Sequence, residues 1–248
     1  MNNPPTQSLG MLLWLIAPLV TVLFLRALAG DGWKDFGLMP SFKDNGTWYV
    51  VSLLIYPLAA VFVLTIGSML GLVTFPNFSL SLLLSVFAVG LIPAFIKNIF
   101  EEFAWRGYLA PKIKSLRLND YIGHMIVGLI WGGWHVPYWL FYLGNAQIQT
   151  ATAQSLVTFV SAAILGLMVA SIAYNEIRLL TNSVWPAVLM HTVSNALIDV
   201  LVVRGFIQIK MGMGILASPA HQSLLTMLFF LLAGIWLHQQ RIRRQLSH

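Results

Sequence analysis

Seven apolar stretches divide this chain, at about 9–29, 48–71, 79–110, 121–142, 154–174, 183–203 and 215–238. Each of the seven suits an α-helix crossing a hydrocarbon core of about 30 Å, which takes roughly 20 residues. The third stretch is too long for one ordinary span, since its length at 1.5 Å per residue reaches roughly 48 Å. Pro93 lies inside it and removes the hydrogen bond to the Val89 carbonyl, which predicts a kink or a break there. A break would add an eighth span. A polar connection, Gly30 to Gly46, rich in Gly, Asp and Lys, separates the first two stretches. The pattern predicts an all-α, polytopic transmembrane helical bundle of about seven to eight spans. Residues 1–248 then form a single membrane domain, with no length left for a soluble one. No internal repeat of the kind found in transporters stands out.

Composition agrees. Hydrophobic residues make up 58% of the chain and charged ones 9%, and the mean hydropathy is +0.79, values typical of membrane proteins. The formal charge of +6 would suit nucleic acid, but its distribution does not. Lys112, Lys114 and Arg117, and again Arg241, Arg243 and Arg244, gather at span ends, where topology signals and contacts with anionic lipids belong. Membrane lipids are therefore expected as partners, and nucleic acid is not. Loop and tail residues Lys34, Lys43, Lys112, Lys114, Arg117, Arg178, Arg241, Arg243 and Arg244 fall on one side, against Arg204 and Lys210 on the other. That bias predicts an outside N-terminus and a cytoplasmic C-terminus. A multi-pass protein of a prokaryotic cell (inner) membrane is the expectation. Residues 1–8 carry no charged side chain, and no clean small-residue cleavage site follows the first apolar run. That run reads as a retained span rather than a cleaved signal peptide. Cysteine is absent, which excludes disulfides, thiolate metal ligands and a cysteine nucleophile.

Against this background, Glu101-Glu102-Phe103-Ala104-Trp105-Arg106 is out of place, because the chain has only 8 acidic residues. Charge at membrane depth is costly and usually marks function, with a partner nearby. On a helix Glu102 and Arg106 share a face and can pair, while Glu101 points about 100° away. Lys97 lies one turn before Glu101 and can neutralise it. A second motif is Trp131-Gly132-Gly133-Trp134-His135-Val136-Pro137. Its paired glycines permit a close helix approach, and Pro137 predicts a bend beside His135. The third motif follows Ser183, a candidate helix cap, and Pro186 in the first turn. It places His191 and Asn195 on one face, with Asp199 one turn further on. Taken singly, these motifs also read as a salt-bridge cluster, a buried hydrogen-bonding histidine and a polar clamp between helices. Together they place two carboxylates, an arginine, two histidines and an asparagine on three helices, for which a shared hydrated cavity is the economical reason. Hydrolysis is the natural chemistry of such a cavity: carboxylate or imidazole activates water, and His and Asn donors stabilise an oxyanion.

The ordered trio Glu101-Glu102-x-x-x-Arg106, Trp131-x-x-x-His135 and His191-x-x-x-Asn195 resembles the CPBP family, the CAAX proteases and bacteriocin-processing enzymes also called the Abi group. The likeness covers about residues 95–200. Trp131 stands where phenylalanine is more usual. The resemblance implies an intramembrane endopeptidase whose site opens to the cytosolic side and to lipid. It implies that Glu101 and His135 activate water, that His191 and Asn195 form the oxyanion hole, and that Glu102 and Arg106 give support. Its substrate would be a peptide or protein, prenylated or membrane-inserted. The family has been described both as zinc-dependent and as metal-free. Glu101, His135 and His191 would be the zinc set, with an open position. The cations Lys97 and Arg106 raise the cost of a dication, which favours no cofactor. A non-enzymatic scaffold or immunity factor on the same fold is the rival reading. An aspartyl protease lacks a partner for Asp199, and no Gly-x-Ser-x element is placed for a serine protease.

Overall fold

The computed structural model describes residues 9–76 and 78–246. The uncharged stretch 1–8 lies outside the described residues. Helix α1 is Leu9–Leu28 and α2 is Gly46–Met69. Helix α3, Leu80–Ala104, passes through a π-helical turn at Trp105–Leu109 into α4, Ala110–Ser115. Next come α5, Asp120–Pro137, a π-helical turn at Tyr138–Leu143, and the short α6, Gly144–Thr152. Helix α7 is Leu156–Thr181; α8, Trp185–Ile198, ends in a third π-helical turn, Asp199–Val203. The one-turn α9, Gly214–Ala217, precedes α10, Leu224–Leu246. A two-residue antiparallel pair, β1 (Val73–Thr74) and β2 (Gln208–Ile209), ties two connections together on one face.

The bundle is all-α, and among the described residues five helices are long and apolar enough to cross a membrane: Leu9–Leu28, Gly46–Met69, Leu80–Ser115, Leu156–Thr181 and Trp185–Val203. The other two apolar stretches also form long helices, α5 and α10, but these carry Asp120 and Arg241, Arg243 and Arg244 in their end turns. Five such helices stand where seven to eight spans are expected from the sequence. Three boundaries differ from expectation. Helix α3 continues through Pro93, and the irregular turn falls after the acidic pair instead. Helix α7 runs seven residues past its apolar stretch, to Thr181. Helix α10 starts only at Leu224, because Ser218 precedes Pro219 and is extended (φ −91°, ψ 143°).

Helices α7 and α8 form the centre: α5 and α10 pack on α7, α2 and α3 on α8, and α1 lies outside against α3. The close approach expected at Gly132 and Gly133 is made one turn earlier as well. A Cβ on Gly128 would sit 2.4 Å from the Met168 Cα, and one on Gly132 3.2 Å from the Ile164 Cα, whereas Gly133 faces open space. Residues one turn apart thus let α5 meet α7, as small residues do in membrane helix pairs.

The 29–45 connection folds back over one end of the bundle as a cap. Phe36 packs on Phe103 (5.3 Å between rings), Arg178 Nη2 donates to the Asp35 carbonyl (2.6 Å), and Val184 N donates to the Gly37 carbonyl (3.0 Å). Arg26 Nη2 donates to the Gly107 carbonyl at 2.8 Å, locking the end of α1 to the π-helical turn. Asp31 accepts from Lys112 Nζ and, at 2.6 Å, from Tyr108.

Candidate active site

Helices α3, α5 and α8 bring the three motifs together around the buried ring of Trp131. Glu101 accepts from Lys97 Nζ on one oxygen and from Trp131 Nε1 on the other, at 3.1 Å. That second oxygen lies 3.9 Å from His135 Nε2. His135 Nδ1 is 2.9 Å from the Trp131 carbonyl, one turn back. A carbonyl only accepts, so Nδ1 carries a proton, and Nε2 is the ring nitrogen that faces Glu101. The π-helical turn after Pro137 provides the expected irregularity beside this histidine.

Glu102 pairs with Arg106 at 3.0 Å, as helical spacing predicts, and both side chains are fully buried. The same Glu102 oxygen accepts from His191 Nδ1 at 2.8 Å, a contact that spacing does not suggest. The Arg106 guanidinium is sandwiched 4.2 Å from the Trp131 ring and 4.5 Å from Tyr174, and Nη2 donates to Ser171 Oγ at 3.2 Å. Asn195 Nδ2 donates to Asn98 Oδ1 at 3.0 Å. Ser183 is not the N-cap of α8, which is Val184; its hydroxyl receives the Trp185 N–H at 3.4 Å. Asp199 pairs with Arg204 at 2.7 Å, on an exposed surface.

Lys97, Trp131, His135, His191 and Asn195 line one cavity of about 500 Å³. Its other walls are mostly apolar or aromatic and include Trp14, Tyr138, Trp139, Phe159 and Leu167, with Asp199, His221 and Gln222 as further polar residues. The glutamates sit behind Trp131 and the histidines. Sequence reasoning had not singled out Asn98, Ser171, Tyr174 or His221. For Asn98 a signal existed, because it precedes Glu102 by one turn in an apolar run, as Lys97 precedes Glu101. His221, from the loop before α10, reaches the cavity beside Ser194, with 3.5 Å between Nε2 and Oγ. Nothing in the local pattern links that loop to the motifs.

A second buried polar cluster joins α5, α7 and α10. Glu176 accepts from His124 (2.7 Å), His238 (2.8 Å) and Arg241 Nε (2.6 Å). Arg241 also donates to Asp120, which Lys114 pairs as well. Among the described residues, Asp120, Glu176 and His238 are the group of three whose ligand atoms lie within 4.8 Å of one another. The Arg241 guanidinium spans both carboxylates and Lys114 pairs with Asp120, so two cations already offset the two acids. Glu101, His135 and His191 do not make such a group, and Lys97 and Glu102 engage two of their ligand atoms.

The fold and this constellation define an all-α integral membrane protein with a buried polar site shared by three helices. Residues 83–197 match the family model described as Type II CAAX prenyl endopeptidase Rce1-like. The matched segment holds all three motifs and agrees with the CPBP resemblance. No curated protein and no solved structure matches the chain.

Proposed function

We propose that the protein is an intramembrane endopeptidase that cleaves a peptide bond near a membrane-embedded or lipidated terminus, using Glu101 and His135 to activate water. One observation carries this reading: Glu101 Oε2 and His135 Nε2 lie 3.9 Å apart, with His135 on the cavity wall and Glu101 buried directly behind it. That gap is too wide for a direct hydrogen bond and suits a water molecule that donates one hydrogen to each. Its lone pairs then point away from both groups, toward a carbonyl carbon in the cavity. Attack transfers the water proton to this pair, which passes it to the departing amine.

The carbonyl oxygen becomes an oxyanion and takes donors from α8. Asn195 spends one amide hydrogen on Asn98 and keeps the other. His191, held through Nδ1 by Glu102 and set on the same cavity wall, serves as the second donor. Glu102 and Arg106 hold His191 and the Trp131 ring in place. Cleavage runs without metal in this reading. The chemical reason is the donor set: Lys97 occupies Glu101, Glu102 occupies His191, and two cations adjoin the site.

The test is incubation of purified protein with a prenylated CAAX peptide and its unprenylated twin, with products read by mass spectrometry. Cleavage by the wild type that is lost in Glu101→Gln and in His135→Ala, at normal expression, is expected. Unchanged function in both variants would establish the non-enzymatic scaffold instead.

A further inference from the structure

Three histidine rings surround the indole of Trp131: His191 at 5.3 Å, His135 at 6.2 Å and His221 at 6.4 Å between centroids. The first two stand against the carboxylates Glu102 and Glu101. His221 has no such partner among the described residues. Its Nδ1 is buried without a hydrogen bond, and its Nε2 has only the 3.5 Å contact with Ser194 Oγ. It also lies outside residues 83–197, the segment that matches the family model.

With no acid to pair with, the His221 ring is a neutral imidazole, which offers one N–H and one lone pair. Its neighbour Gln222 lines the same cavity with an amide that offers both kinds of group. Gln222 also lines a second cavity of about 400 Å³, whose wall carries Gln154. Gln154 is 7% exposed, and neither its amide nitrogen nor its amide oxygen has a partner among the described residues. Three donor–acceptor side chains thus follow one another along two adjoining cavities. Unpaired buried polar groups call for a partner.

The loop before α10 holds its two residues firmly. The carbonyls of Leu216, Ser218 and Ala220 accept from Ser223 Oγ (2.7 Å), Thr226 Oγ1 (2.8 Å) and Ser223 N (3.0 Å). The Pro219 carbonyl accepts from Tyr56. Beneath the loop, α7 has Gly166, where a Cβ would lie 2.0 Å from the His221 carbonyl oxygen. The His221 ring packs on Phe230 (5.2 Å) and Tyr56 (5.6 Å). A loop fixed in this way loses little ordering entropy when it binds.

A polypeptide entering the first cavity meets mostly apolar walls, where main-chain N–H and C=O groups that lose water must find other partners. A helical segment satisfies them internally; an extended one does not. We infer that His221, Gln222 and Gln154 form a main-chain clamp that pairs with peptide groups of the bound polypeptide and holds it extended. The clamp reads backbone, so it selects an unfolded segment rather than a particular sequence. It positions the scissile carbonyl and leaves proton transfer to Glu101 and His135. The inference rests on the hydrolytic reading above for calling that polypeptide a substrate.

The experiment is a scan with N-methylated peptides. The prenylated CAAX peptide carries one N-methyl group at a time along its backbone, and its dissociation constant is measured on Glu101→Gln, where binding is free of turnover. Methylation at one or more positions should weaken binding by about 3- to 10-fold, the worth of one hydrogen bond. Adding His221→Phe, which keeps an aromatic ring, or Gln154→Leu should weaken the parent peptide by a similar factor. Each should also abolish the methylation penalty at one position. His221→Asn, with a donor and an acceptor, should recover part of the loss.

A merely structural role would lower the melting temperature and leave the methylation profile as it was. An unchanged profile in both variants would overturn the clamp, and if His221→Phe does not fold, Gln154→Leu decides. Failure of Glu101→Gln to bind the peptide would overturn it too, because main-chain recognition does not depend on sequence. Cleavage by the wild type is scored separately. A profile that responds to these variants without any cleavage would support the clamp and count against hydrolysis; cleavage with an unresponsive profile would do the reverse.

Discussion

The adjacent acids Glu101 and Glu102 offer a sharp contrast, because neutralising each should do different things. Glu102 and Arg106 are both fully buried, and Arg106 is enclosed by the Trp131 and Tyr174 rings. In Glu102→Gln the guanidinium keeps its charge in a dry site without a counter-ion, a situation that costs about 3–5 kcal/mol. At roughly 2–4 °C per kcal/mol for a chain of this size, the melting temperature should fall by about 10 °C. Glu101→Gln differs because its cation can leave: the Lys97 side chain is 33% exposed and can swing to water. The glutamine oxygen still accepts from Trp131, so the cost is about 1 kcal/mol or less. The assay is thermal unfolding in detergent, followed by tryptophan fluorescence, alongside peptide cleavage. We expect Glu101→Gln to be inactive and nearly as stable as wild type, and Glu102→Gln to be unstable. Equal melting shifts, or full activity in Glu101→Gln, would refute this division of labour.

Gly166→Ala places a Cβ 2.0 Å from the His221 carbonyl oxygen. Backbone cannot move aside cheaply, so about 1–3 kcal/mol of destabilisation is expected in the same melting assay. The Asp31 carboxyl lies below its ordinary range because Lys112 and then Tyr108 donate hydrogen bonds to it. Its contribution is therefore present above about pH 4 and lost as the pH falls through the depressed value. Asp31→Asn should flatten that acid limb in melting measured against pH. Chelator treatment followed by elemental analysis should leave cleavage intact, whereas stoichiometric zinc that tracks activity would establish a metal enzyme.

Much of the architecture is legible in the pattern of apolar runs, because in lipid a long hydrophobic stretch has few options besides a helix. The Glu102–Arg106 pair follows from helical spacing, an interaction set within one element. Contacts between elements are another matter. That His191 docks on Glu102 and Trp131 donates to Glu101 depends on how α3, α5 and α8 rotate against one another, and no local pattern encodes this. Pro93 illustrates the limit of a local rule, since α3 continues through it. The Asp120–Glu176–His238–Arg241 cluster escaped notice because its members lie far apart in sequence, each near a helix end where a charge attracts no attention.

The cap formed by the 29–45 connection has a consequence for the membrane itself. A hydrated cavity that reaches Lys97 and Asn195 thins the insulating layer locally, so the voltage across the membrane drops over the remaining half of the bundle. Moving one charge through that half is worth about 2.3 kcal/mol per 100 mV, a standing incentive for ions to leak. Phe36 and Phe103, backed by the neutral Glu102–Arg106 pair, supply the dielectric that is left. The cap is in this sense an electrical seal.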